Sequence, residues 1–89
     1  MIEKNLTITN KLGLHARAAA KLSHLSNTFS SDISLLYNDD KVNAKSLLGI
    51  LTLAATVGND IAIIASGEDE SKAVDALADL FGRKFDEEN

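Results

Sequence analysis

The sequence predicts an α+β fold of order β-α-β-β-α-β-α, a four-stranded antiparallel sheet covered on one face by helices. Three observations predict it. Apolar residues alternate along some stretches and recur at helical spacing along others. Turn chemistry at "NDD" (38–40) joins two of the alternating stretches into a hairpin. The resulting pair of consecutive strands breaks the strict strand–helix alternation of a parallel sheet.

The elements follow in order. Residues 2–9 alternate imperfectly, with Ile2, Leu6 and Ile8 on one face and Lys4 interrupting, and predict a strand. "NKLG" is a loop. From Ala16 the pattern turns helical: Ala18, Leu22, Leu25 and Phe29 fall at i, i+4, i+7 and i+11 on one face. Ile33, Leu35 and Tyr37 alternate through a second strand, and residues 41–43 return antiparallel to it. Ser46 suits an N-cap for a short helix interrupted by Gly49, with Leu47, Ile50, Leu51 and Ala54 on one face. "VGND" turns into the continuous apolar run 61–66, a buried strand. Asp69 caps a last helix whose core face is Val74, Leu77, Phe81 and Phe85, and "DEEN" is expected to fray.

Composition bounds the function. An apolar fraction of 45% and a charged fraction of 25% suit one globular domain over residues 1–89. The chain has no cysteine, hence no disulfide framework and no thiolate metal site. "MIEKNLTITN" carries Glu3 and Lys4 and lacks the apolar run of a signal peptide, so a cytoplasmic protein is expected. The longest apolar stretch, around 47–57, is broken by Gly49, Thr52 and Thr56 and falls short of the roughly 20 residues of a membrane helix. Charge is asymmetric. Residues 1–59 carry six basic and four acidic side chains, whereas residues 60–89 carry three basic and nine acidic ones. An anionic ligand or acidic partner should prefer the first part. The net charge of −4 argues against general nucleic-acid binding.

The stretch "GLHARAAAKL" (13–22) holds the candidate chemistry. His15 stands where a glycine-led loop becomes a helix. A helix start offers unpaired backbone N–H groups and the positive end of the dipole, and so attracts anions. Arg17 adds a guanidinium fork suited to phosphate oxygens. A histidine there is placed to carry a phosphoryl group, a ring nitrogen acting as nucleophile and the backbone of Ala16 and Arg17 holding the added charge. The bland reading of the same residues, a polar cap beside a solvated charge, stays open on spacing alone. Arg17, Lys21, His24 and Thr28 would form a polar face opposite the apolar stripe, either solvated or a dock for acidic partners. His15 and His24 do not share a helical face and no acidic cluster completes a ligand set, so neither a metal nor a cofactor is expected. Ser46, after Lys45, is a cap that a phosphate would also suit. Leu47, Leu48 and Leu51 are more leucine than a short helix needs, and are either core or an exposed partner patch.

"LGLHARAAAKL" and "VNAKSLLGILTLAA" together resemble the HPr family, the phosphocarriers of the bacterial phosphotransferase system, over about residues 2–85. The resemblance implies an open-faced β-sandwich. It implies that His15 is phosphorylated at Nδ1 by enzyme I, itself charged from phosphoenolpyruvate, and passes the group to IIA proteins or domains. The protein would then be a carrier within a relay rather than an enzyme acting alone, and most simply a monomer. Arg17 matches the arginine that contacts the phosphoryl group. Ser46 matches a serine modified in some members by a regulatory kinase, with a phosphatase reversing it. Leu47, Leu48 and Leu51 match an apolar docking patch, with Lys21, His24 and Lys45 beside it. One residue departs: Ala18 stands where many members have proline. Both suit a first helical turn, so the helix is expected to persist with a less rigid start. The alternative function is a regulatory module in nitrogen or carbon signalling, its partner set by phosphorylation of His15 or Ser46. A generic domain binding a small anion at residues 13–17 is a third reading.

Overall fold

The computed structural model describes residues 1–87 and has the expected element order. It runs β1 (Ile2–Thr7), α1 (Ala16–Ser26), β2 (Asp32–Tyr37), β3 (Asp40–Asn43), α2 (Leu47–Thr52), β4 (Asp60–Ser66) and α3 (Glu70–Gly82), with one further turn at Lys84–Asp86. All strand pairs are antiparallel, in the order β1-β4-β2-β3. β4 is central, as its continuous apolar run requires: Ile63 lies between Lys4 and Leu35. β1 is an edge strand, so Lys4 keeps core register yet stays exposed. At the β2–β3 turn Asn38 and Asp39 take φ of 49° and 70°, the left-handed pair that matches a two-residue hairpin to sheet twist.

The helices cover one face of this sheet. Leu22, Leu35, Ile50, Ile63 and Leu77 are all fully buried between the layers. Each contributes about 1.5–3 kcal/mol from removal of its side chain from water.

Several local expectations are corrected. β1 stops at Thr7 rather than residue 9. Ile8 still fills the core, but its N–H donates to Asn59 O (2.9 Å) and its carbonyl accepts from Gly58 N (2.8 Å), outside the ladder. α1 ends at Ser26, so Phe29 packs from a loop and Thr28 leaves the helical polar face. In α2 only Ile50 is buried, Leu51 is half-buried and Leu47 is 40% exposed. Ala54 follows at φ 50° and is exposed, while Leu53 and Ala55 on either side of it fill the core. Asp69 stands at the start of α3 but makes no capping bond there. Its carboxylate accepts instead from Ser30 N (2.9 Å), Ser31 N (2.9 Å) and Ser31 Oγ. Chiefly through the Ser31 hydroxyl, these donors hold its pKa down at about 2.

The C-terminal end does not fray at Asp86 and Glu87; Glu88 and Asn89 lie outside the described residues. Lys84, Phe85 and Asp86 take φ of 57°, 55° and 55°, a left-handed turn that costs L-residues about 1–2 kcal/mol each. Burial of Phe85 against Phe81, with ring centroids 4.9 Å apart, opposes that cost. Arg83 clamps the turn by donating from Nη1 to both Asp86 carboxylate oxygens (2.9 and 2.8 Å) and from Nε to Asp79 (2.8 Å). No helix among the described residues is long and apolar enough to cross a membrane.

Candidate functional site

The loop between β1 and α1 is built to present its last residue. Gly13, at φ 65°, donates to Asn10 O (3.1 Å), and Leu14 donates to Ala55 O (3.0 Å) while its side chain enters the core. The chain therefore reaches His15 from an anchored point. His15 is the N-cap of α1, extended at φ −73° and ψ 178°. Its carbonyl accepts from Ala19 N (2.8 Å), and its Nδ1 accepts from Arg17 N (3.3 Å). A ring nitrogen thus occupies the place of an N-cap oxygen, facing the unpaired N–H groups of the first turn. No acidic residue lies in that turn to oppose an anion.

His15 and Arg17 border a depression of about 290 Å³ with Lys21, Phe85 and Glu87 among its walls. The His15 side chain is 28% exposed. Arg17 is exposed, and among the described residues its guanidinium makes no hydrogen bond or ion pair. Ala18, fully enclosed, continues the helix without interruption where proline was the alternative.

The remaining expected site residues divide. Lys21 Nζ donates to Phe85 O (2.7 Å) and Lys45 Nζ donates to Phe29 O (2.8 Å), so both ammonium groups hold loops in place. His24 is exposed near the end of α1. Ser46 caps α2, its Oγ accepting from Gly49 N (3.0 Å). Ser23 Oγ (2.9 Å) and Asn27 Nδ2 (3.0 Å) both donate to Lys45 O, joining the start of α2 to α1. Leu48 is 75% exposed beside Leu47, whereas Leu51 packs on the core. Among the described residues no group of three or more His, Cys, Asp or Glu could hold a metal ion.

Sequence reasoning missed three neighbours of His15. Asn10 is fully buried and donates from Nδ2 to Gly13 O (2.7 Å) and Glu87 Oε2 (2.8 Å). Leu12 is a large apolar side chain left 64% exposed, and its N–H donates to Glu87 Oε1 (3.1 Å). Glu87 Oε2 lies 3.3 Å from His15 Nε2. These donors, Asn10 first, then Leu12 and the His15 ring, lower the Glu87 pKa against partial burial. Local spacing held no signal for a contact between residues 72 apart. The one hint was Phe85 in the apolar stripe, which anchors the chain just before Glu87.

The sequence matches the family described as "PTS HPr component phosphorylation site" over residues 2–83. It is 48% identical over 88 residues to the phosphocarrier protein HPr of Xylella fastidiosa (strain Temecula1), covering 99% of each chain. It is 43% identical over 86 residues to the phosphocarrier protein NPr of Shewanella violacea, covering 97% of this chain and 94% of that one. Among solved structures, HPr-C-His from Thermoanaerobacter tengcongensis superposes with a TM-score of 0.95 at 45% identity, over 100% of both chains. The fold is the open-faced β-sandwich of these structures. The class so defined is that of small phosphocarriers, which relay a phosphoryl group rather than turn over a substrate. Within it, the chain belongs to the HPr family of the phosphotransferase system.

Proposed function

We propose that His15 is the carrier residue, taking a phosphoryl group on Nδ1 from phosphoenolpyruvate-charged enzyme I and passing it to IIA proteins or domains. One observation carries the reading: Nδ1 is the capping atom of α1, already aligned with the Arg17 N–H. When Nδ1 bonds phosphorus, its lone pair is used and that N–H turns to a phosphoryl oxygen. The Ala16 N–H, the helix dipole and the Arg17 guanidinium stabilise the remaining charge. The group stays exposed on one side, as transfer between two proteins in turn requires.

Incubation with phosphoenolpyruvate and enzyme I should give an acid-labile, base-stable adduct. His15→Ala should abolish it, and Arg17→Ala should slow its formation roughly a hundredfold. A wild-type protein that stays unmodified under these conditions refutes the assignment.

The exposed pair Leu47 and Leu48, with His24 nearby on α1 and Leu12 beside His15, supplies the docking surface. Lys21 and Lys45 contribute by holding the loops around that surface. The working unit is one domain over residues 1–89, a monomer in the cytoplasm; equilibrium sedimentation as a dimer would overturn the monomer. A phosphate on Ser46 would keep the cap of α2 while adding charge next to Leu47 and Leu48. A serine kinase and phosphatase acting there would thereby set partner choice. Ser46→Asp should weaken partner binding more than it slows a saturated transfer step at His15; equal, small effects on both would refute this regulation.

A further inference from the structure

The two ring nitrogens of His15 face chemically opposite partners. Nδ1 faces a donor, the Arg17 N–H at 3.3 Å. Nε2 faces an acceptor, the Glu87 carboxylate at 3.3 Å. A protonated Nδ1 would point its hydrogen at another N–H, and a bare Nε2 would point its lone pair at a carboxylate. Both contacts therefore select the same neutral form, with the proton on Nε2 and the lone pair on Nδ1.

We propose that Glu87 is a positioning residue for phosphoryl transfer, holding His15 in the Nε2–H tautomer and so presenting Nδ1 as the nucleophile. The carboxylate is itself held from several sides. Asn10 Nδ2 (2.8 Å) and Leu12 N (3.1 Å) donate to its two oxygens, and its side chain is only 9% exposed. Asn10 belongs to the loop that sets His15, since its amide also grips Gly13 O (2.7 Å). Nucleophile and orienting group thus share one support. The tail is delivered by the turn at Lys84–Asp86, with Phe85 buried and its carbonyl bound by Lys21 (2.7 Å). The donors around Glu87 keep it ionised and hence an acceptor.

This inference rests on the reading of His15 as the carrier. In the step it serves, the Nδ1 lone pair forms a bond to phosphorus. The donor's bond to phosphorus breaks, and its electron pair leaves with the donor atom. The Nε2 proton stays in place, so the ring gains a positive charge that the Glu87 carboxylate faces. On transfer to the acceptor the N–P pair returns to Nδ1, and the starting tautomer is restored without a proton moving.

The test uses the full-length, ¹⁵N-labelled protein, with no phosphoryl donor present. Long-range ¹H–¹⁵N spectra of the neutral His15 ring report which nitrogen carries the proton. Wild type should show Nε2–H, and Glu87→Gln and Glu87→Ala should each shift the ring towards Nδ1–H. Amide spectra of the variants check that the fold is kept. With enzyme I and phosphoenolpyruvate, the initial rate should fall on the order of tenfold, as when a carboxylate orienting a histidine is removed. Nδ1–H in the wild type, an unchanged tautomer in the variants, or a shifted tautomer with an unchanged rate would each overturn the proposal. None of these touches the assignment of His15, which fails only if the wild type takes up no phosphoryl group.

Discussion

Gly13→Ala should be among the most damaging single changes near the site, and its size can be worked from the backbone. At φ 65° an alanine meets the left-handed penalty of about 1–2 kcal/mol. Its Cβ would also lie 2.5 Å from Ala55 O and 3.1 Å from Thr56 Cα, both backbone atoms. The carbonyl cannot recede freely, because it accepts the Leu14 N–H at 3.0 Å, a bond worth about 1 kcal/mol net. Together these give a loss of about 2–4 kcal/mol, a large share of the stability of a small domain. At about 4–8 °C per kcal/mol, the melting midpoint should fall by roughly 8–32 °C. Gly58→Ala is the matched control, with φ 88° and nothing within 4 Å of the added Cβ. It should meet the conformational penalty alone. Urea unfolding followed by circular dichroism compares the two, and phosphoryl uptake at His15 should fall in Gly13→Ala because Leu14 and His15 move with the loop. If Gly13→Ala is no more destabilising than Gly58→Ala, the close approach of Gly13 to Ala55 is not what shapes this loop.

Three further outcomes are expected. Ser46→Ala removes the side-chain cap of α2 and should cost about 1 kcal/mol in chemical denaturation; no loss would mean that Ser46 Oγ does not cap Gly49. Leu22→Ala, at a fully buried position, should cost about 2–5 kcal/mol, and a value under about 1 kcal/mol would contradict its burial between α1 and the sheet. Asp69, depressed from 3.8 to about 2, stabilises the fold above its unfolded pKa, and that contribution is lost as pH falls from about 4 through 2. Asp69→Asn should flatten the acid limb of a stability-against-pH curve, and an unchanged slope would show that Asp69 is not the group responsible.

Where a feature depends on neighbours within a few residues, sequence sufficed. "NDD" marked the hairpin because Asn38 and Asp39 tolerate left-handed dihedrals that β-branched residues resist. Ser46 was recognisable as a cap because its partner, Gly49 N, is three residues away. Ala18, Leu22, Val74 and Leu77 faced the core as their spacing required. The same locality explains the errors. Asp69 stood in a capping position, yet two serines some 38 residues earlier offered its carboxylate more donors than the α3 start did. The Lys21 and Lys45 ammonium groups donate to the carbonyls of Phe85 and Phe29, contacts across 64 and 16 residues that local spacing does not signal. Leu47 and Leu51 were indistinguishable by composition, and the short length of α2 decided which of them met the core.

By itself, then, sequence determined the elements, the hairpin, the helix cap at Ser46 and, through the joint resemblance of its two motifs, the family. Tertiary structure alone decided the strand order β1-β4-β2-β3 and the pairing of the Asn10 loop with the C-terminal tail. It also decided that Glu87 faces Nε2 while Arg17 N–H faces Nδ1. The division has a physical cause. Caps, turns and amphipathic faces arise from hydrogen bonds and side-chain spacing within one or two turns of chain. The partner of a ring nitrogen is set by where packing brings a distant segment, here by the burial of Phe85 against Phe81.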